Sequence, residues 1–371
     1  MNKQRIKQVL FNFSIFRYLY VRHKEKTGYY IKIENFNLDD ANKVLLDNPL
    51  SDNNYVGLVK DENSQFKGYL NPNSYYPKFE RFLKNNNIKY DYFDIHSYDW
   101  LKQVRKFNII VWRTPSSPAE QTEAMQKIFF LEKIGIKCFP SFEEVFKYED
   151  KVVMHYFYQI HSLPEIETFV TYSKDDAIEF ATSAKYPIVS KISTASASKG
   201  VSILRSKRSA LKLINKSFQY DGNKTYWKYV NQKDYVYFQK FIDDAKFDLR
   251  VIVISDSLFG YYRFPNKGDF RASGAGHYEK KEIPTAAMDI AWETKKKYGS
   301  HCLATDFVYS PKDDQYYIIE SSIFIGVETA MQLLIDGLPG RYIRNSEGVY
   351  NFEQGKYWIQ ELALKSFFES F

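Results

Sequence analysis

Along residues 55–135 the hydrophobic period changes repeatedly, and each change marks an element. YVGLVKD at 55–61, KYDYFDI at 89–95 and FNIIVWR at 107–113 are short branched and aromatic runs that read as strands. YYPKFERFLKNNN at 75–87 recurs apolar at helical spacing. Strand and helix in alternation predict a small parallel α/β unit. The next helix opens with Ser117 as N-cap, Pro118 as its first residue and Glu120 completing a capping box, and Gly135 stops it.

Further on, VVMHYFYQIHS predicts a helix, ETFVTYS a strand and KDDAIEFATSA a helix that ends before Tyr186-Pro187. PIVSKISTASASKGVSILRS reads as strand, small-residue loop and strand. After the polar run at 219–234 come long apolar strands within 235–273, a helix at 285–299 stopped by Gly299, two strands either side of Pro311-Lys312-Asp313-Asp314, and a helical C-terminus. No internal repeat is present. The divisions are a basic, aromatic extension at 1–50, an α/β unit at 51–145, a smaller lobe at 146–237 and a larger one at 238–371. The fold class is α/β (α+β).

Charges stand at the ends of the later apolar runs: Asp248 and Arg250 before VIVI, Arg263 after FGYY, Asp306 after CLAT and Glu320 after YYII. A buried lone charge costs several kcal/mol or more, so such residues sit at sheet ends or face a cleft. If the late hairpin folds about residue 313, Asp306 comes opposite Glu320, with Ser322 two positions on and on the same face. Facing carboxylates repel unless a cation or a proton lies between them, and hard oxygen ligands suit Mg²⁺. The other reading is an exposed pair held apart by solvent. The loop from Ser193 to Gly200 is equally two-sided. Its small residues let backbone N–H groups approach phosphate, with Lys191 and Lys199 supplying charge, yet it also fits an ordinary hairpin tip. No helix follows it, so it is not a Walker A loop.

These residues occur in a known order. Asp150-Lys151, a strand ending in Lys191, the small-residue loop, FQKFI at 238–242, DLRV at 248–251, Arg263, DFRAS at 269–273, Asp306 and Glu320 together resemble the ATP-grasp ligases. The set is most similar to the branch with glutathione synthetase-like enzymes and the glutamate ligases of ribosomal protein, over about residues 90–330. The resemblance implies an ATP-grasp fold, with the unit at 55–115 in place of the family's preceding domain. It implies that Lys151 and Lys191 contact ATP, that Ser198 and Lys199 lie in the loop closing on it, and that Lys240-Phe241 meets adenine. Asp248 would lie near the nucleoside, and Arg271, Ala272 and Ser273 along the phosphates. Arg263 and Arg271 would stabilise transferring charge. Asp306, Glu320 and Ser322 would hold Mg²⁺, with Mn²⁺ as the alternative ion. Arg250, in the family's DxR pattern, reads first as a structural ion-pair partner of Asp248, with a site role as the other reading.

The implied reaction phosphorylates a carboxylate to an acyl phosphate, releases ADP, and lets an amine or thiol displace phosphate. The sequence does not name the acceptor: an amino acid, a peptide and a carboxylated sugar stay open, and GAGH at 274–277 with FIGVETA at 324–330 marks the loops expected to contact it. Three departures stand against the family pattern: Glu320-Ser321-Ser322 for Glu-x-Asn, Phe270-Arg271-Ala272-Ser273 for FRxN, and Lys240 for an acidic hinge residue. They leave open a nucleotide-binding protein without ligase activity, and the cleft also suits phosphoryl transfer to a hydroxyl.

Composition sharpens this only a little. The chain has 371 residues, 44% hydrophobic and 26% charged, with a net charge of +7 spread without a stripe, which fits an anionic ligand better than nucleic acid. Two cysteines make no disulfide framework and point to a reducing, cytoplasmic setting; six histidines form no zinc motif. MNKQRIK before VLFNFSIF has a signal-peptide outline, but Asn12, Ser14 and Arg17 break its apolar part. It reads as an extension packed on the body, with contact to an anionic membrane surface as the lesser reading. Homo-oligomerisation is left open.

Overall fold

The computed structural model describes residues 14–26, 30–32, 37–51, 53–61, 69–194 and 200–370. The first unit is built from β1 (Tyr55–Leu58), α1 (Tyr76–Asn85), β2 (Lys89–Tyr92), β3 (Ile109–Val111), α2 (Pro118–Lys133) and β4 (Lys137–Phe139). Its strands are all parallel, in the order β2-β1-β3-β4. Strand β4 goes beyond the sequence reading, because three residues are too few to show a period. At α2, Ser117 is the N-cap and Pro118 the first residue as expected, but the Ser117 hydroxyl donates to the Glu120 carboxylate instead of accepting a backbone N–H. A reciprocal capping box forms at the next helix, beyond β4, between Ser141 and Glu144 at Phe142–Lys147.

The second lobe contains α3 (Lys151–Ile160), β5 (Thr168–Thr171), α4 (Lys174–Ser183), β6 (Ile188–Lys191), β7 (Val201–Leu204), α5 (Lys207–Ser217) and β8 (Val236–Lys240). The sheet is antiparallel, in the order β5-β8-β6-β7. Ala177 and Ala181 of α4 and Ala210 and Ile214 of α5 bury against Val236 and Phe238 in a core of their own. The Phe180 ring stacks 4.2 Å from Phe169 and 5.6 Å from Phe238.

The third layer consists of β9 (Asp248–Ile254), β10 (Ser257–Phe264), α6 (Thr285–Tyr298), β11 (Cys302–Ser310), β12 (Gln315–Ser322), β13 (Leu338–Arg344), β14 (Tyr350–Gln354) and α7 (Ile359–Phe368). The antiparallel order β12-β11-β9-β10-β13 puts the late hairpin beside β9, with β14 paired to β13. Leu249, Val251 and Val253 of β9 are fully buried, and Asp248 and Arg250 alternate with them, so the polar positions belong to the opposite face. Gly260 of β10 is forced: a Cβ there would lie 2.4 Å from the Arg250 carbonyl oxygen and 2.7 Å from Ile283. The main core runs from this sheet into the first unit, where Phe82 of α1 stacks on Phe368 of α7 at 5.9 Å.

Residues 1–13 of the predicted extension lie outside the described residues. Helix Ser14–Lys26 follows, and Tyr20 packs with Tyr30 and Tyr69 on the body. No helix among the described residues is long and apolar enough to cross a membrane.

Candidate nucleotide site

Cross-strand register assembles the site. Glu320 of β12 faces Asp306 of β11, Asp306 faces Arg250 of β9, and Arg250 faces Tyr261 of β10, a single row across four strands. Two residues along, on the same face, Asp248 lies opposite both Val308 and Arg263. The sequence parity therefore names the right carboxylate pair, although the hairpin is not centred on residue 313. Ser310 pairs with Gln315 and Phe307 with Ile318; a bulge at Ile319 then adds one residue and brings Glu320 opposite Asp306.

Asp306 is only 3% exposed and clamped by two arginines. Arg250 donates to its two oxygens at 2.6 and 2.8 Å, and Arg263 approaches at 2.8 Å. The expected pairing of Arg250 with Asp248 is thus corrected: strand order sends Arg250 to Asp306, and Asp248 takes Arg263 at 3.5 Å. Burial opposes charge on Asp306, but Arg250 and Arg263 hold its carboxyl down at about 2. Asp248, with a weaker partner, is pushed up by burial to about 6.

Glu320 is 28% exposed and has a single cation at 3.2 Å, the Lys151 ammonium. Lys151 is the first residue of α3, whose N-cap Asp150 accepts the N–H groups of Val152 and Val153 and a hydrogen bond from Ser193 at 2.6 Å. The start of α3 and the start of the small-residue loop are therefore one structure, reinforced by Tyr235, whose hydroxyl accepts the Ser193 N–H at 2.8 Å. Lys191, at the end of β6, is buried and held down at about 8, by burial first and by Lys151 against the pull of Glu320.

A cavity of about 340 Å³ runs between the second lobe and the large sheet. Lys151, Lys191, Lys240, Phe241, Asp248 and Arg263 line it, as do Arg271, Ala272, Ser273, Asp306 and Glu320. Ser198 and Lys199 lie outside the described residues. Ser322 is not in this cavity: its hydroxyl donates to the Phe324 carbonyl at 2.6 Å as the chain turns, and it lines a second cavity of about 350 Å³ next door. Lys151, Arg263, Ser273 and Glu320 border both cavities. The first has apolar walls that sequence reasoning missed, including Ile166, Val189, Val201, Phe247 and Val308, since ordinary strand alternation gives no sign of a ligand.

Among the described residues no group of three or more His, Cys, Asp or Glu side chains is placed to hold a metal. The donor set still fits Mg²⁺, which keeps waters, takes substrate phosphate oxygens and asks one or two carboxylates of a protein. Glu320 has spare acceptor capacity, and Asp306 Oδ1, which receives one arginine N–H, keeps a further lone pair, whereas Oδ2 meets both arginines.

No family profile matches the chain. A curated relative, the alpha-aminoadipate–LysW ligase LysX of Saccharolobus solfataricus, is 27% identical over 239 residues, spanning 63% of this chain and 77% of the relative. Among solved structures, the ADP complex of PurK, an N5-carboxyaminoimidazole ribonucleotide synthetase, aligns with a TM-score of 0.52 at 12% identity, over 84% of this chain and 80% of that one. A Chryseobacterium gregarium RiPP-associated ATP-grasp ligase, in complex with ADP and a leader and core peptide, gives 0.50 at 14% identity over 73% and 89%. The chain shares its fold with these structures, an ATP-grasp ligase among them. That fold brings eleven of the fourteen residues singled out from the sequence to one cavity, the exceptions being Ser198, Lys199 and Ser322.

Both loops singled out from the sequence reach the second cavity. Gly274 of GAGH, and Phe324, Ile325 and Gly326 of FIGVETA, line the second cavity of this ATP-grasp fold. Arg113 and Glu149 line it too and were missed. The signal for Arg113 was present, a charge directly after an apolar strand, and it is the same signal that picked out Lys191. Glu149 has a φ of +63°, which sequence does not announce.

Proposed function

We propose that this protein is an ATP- and Mg²⁺-dependent ligase that joins a carboxylate to an amine or thiol through an acyl phosphate, releasing ADP and phosphate. The observation that carries it is the convergence of Lys151, Lys191 and Arg263 with Asp306 and Glu320 in one cavity that opens on a second. Adenine would sit between the apolar walls by Phe241, and Lys151 and Lys191 would fix the phosphates. Arg263, on the border, would face charge as the γ-phosphoryl passes to the acceptor carboxylate. Asp306 and Glu320 would hold Mg²⁺, whose charge would neutralise phosphate oxygens. The second lobe, 146–237, would close as a lid and keep water from the acyl phosphate.

The test is ADP formation from ATP, Mg²⁺ and a pool of acids with hydroxylamine as nucleophile. Glu320→Gln and Lys191→Met should each lower turnover by about two orders of magnitude or more. AMP as product, or unchanged turnover in both variants, would overturn the reading. The clamp on Asp306 favours one second reading, a nucleotide-binding protein that needs no metal; calorimetry showing ATP binding indifferent to Mg²⁺, without turnover, would select it.

A further inference from the structure

The second cavity has four cationic side chains, and three of them are held. Lys151 is paired with Glu320, and Arg250 and Arg263 with Asp306. Arg113 is the fourth. It lies just beyond β3, at the carboxyl end of the parallel sheet, the edge where open α/β sheets receive ligands. Its guanidinium lies 5.9 Å from the ring centres of Tyr75 and of Phe324. Among the described residues it makes no hydrogen bond and no ion pair.

Its surroundings are fixed. The Tyr75 hydroxyl donates to the Ile325 carbonyl at 2.8 Å and accepts the Ile325 N–H at 2.9 Å, and the Tyr75 and Phe324 rings meet edge to face at 5.3 Å. Two carboxyls lie within electrostatic reach, and neither is joined to Arg113. Asp61 accepts the N–H groups of Tyr75 and Tyr76 at the start of α1, and burial pushes the Glu149 carboxyl up, towards its neutral form. A planar cation with no hydrogen-bonded partner among the described residues, between rigid aromatic walls, is suited to a carboxylate.

Position decides which carboxylate. The residues that touch both cavities are Lys151, Arg263, Ser273 and Glu320, so the carboxylate to be activated must meet the nucleotide there. Arg113 borders the second cavity alone. On the ligase reading above, we propose that Arg113 recognises a second carboxylate of the acceptor, one that is not activated. The acceptor is therefore a dicarboxylic acid, with or without an amino group.

The experiment uses the full chain with ATP, Mg²⁺, hydroxylamine and a series of such diacids and acidic amino acids, each beside its half-amide. The γ-phosphoryl moves to a carboxylate oxygen and ADP leaves. The hydroxylamine nitrogen then attacks the acyl carbon, phosphate departs and a hydroxamate is measured. Wild type should prefer a diacid over its half-amide by roughly ten- to hundredfold in kcat/KM, the range for a hydrogen bond to a charged group. Arg113→Met should bring that ratio close to one, and Arg113→Lys should restore part of it. ATP affinity by calorimetry and the melting temperature should be unchanged in both.

Half-amides turned over as well as diacids, or a preference that survives in Arg113→Met, would overturn the proposal and leave the ligase standing. ATP binding with no hydroxamate from any diacid would exclude this substrate class. Absence of ATP binding would remove the ligase reading itself, and the proposal with it.

Discussion

Asp306 shows how much one residue can be asked to do. It compensates Arg250 and Arg263, both of which are largely buried, and it is the inner member of the carboxylate pair offered to a cation. Asp306→Asn leaves the Arg250 guanidinium without its anion and Arg263 with Asp248 alone, at 3.5 Å, and breaking a buried pair in this way costs about 3–5 kcal/mol. Chemical denaturation should show that loss, while Glu320→Gln should lose less, because Glu149 remains near Lys151. Lys191 gives a pH signature. Its proton leaves the folded protein at about 8, below the ordinary 10.5, so between those values the unfolded chain binds more protons and this group makes stability rise with pH. On the proposed role of Lys191 at the phosphates, affinity for ATP should fall above about pH 8; titrations across pH 7–9 should show the step in wild type and not in Lys191→Met. The charges themselves were legible in sequence because each ends an apolar run. Their partners were not, since the neighbour of β9 is decided by a strand more than fifty residues further on.

At the scale of elements, the late hairpin was read correctly for an incomplete reason. Its turn lies half a residue earlier than supposed, and the bulge at Ile319 restores the predicted pair. Bulges leave little trace in an apolar run such as YYIIESS, whereas helices with clear caps and long periods, α2 and α6 among them, were placed from sequence within a residue or two. Strand β10 depends on a residue without a side chain. Gly260→Ala would press a methyl group into the Arg250 carbonyl and Ile283, a misfit expected to cost about 1–3 kcal/mol. A lower melting temperature, with ATP affinity reduced because β9 carries Asp248 and Arg250, is the expected outcome; an unchanged melting curve would mean that the strands part without penalty.

For the molecule as a whole, the hydrophobic interior is divided unevenly. The second lobe has its own small core around Phe180 and Phe238, while the first unit and the large sheet share one. That division suits a lobe that closes as a body over ATP, and the change of pattern after residue 145 hinted at it. What sequence could not show is how the chain's far parts meet. Arg81 of α1 donates to both oxygens of Glu361 on α7, at 2.7 and 2.9 Å, and to the Ala41 carbonyl at 2.8 Å. Amphipathic periodicity marks which face of each helix is buried and says nothing of which partner, 280 positions away, will cover it.

The contact between α1 and α7 constrains how the protein can be taken apart. A shortened clone that keeps every position of the first cavity but stops before residues 359–368 would strip the cover from Phe82 and take Glu361 from the largely buried Arg81 guanidinium. Its opening α/β module, Arg113 included, would then keep its contacts with Phe324 and Ile325 but lose those with α7, so the tail must accompany any fragment meant to report on acceptor choice.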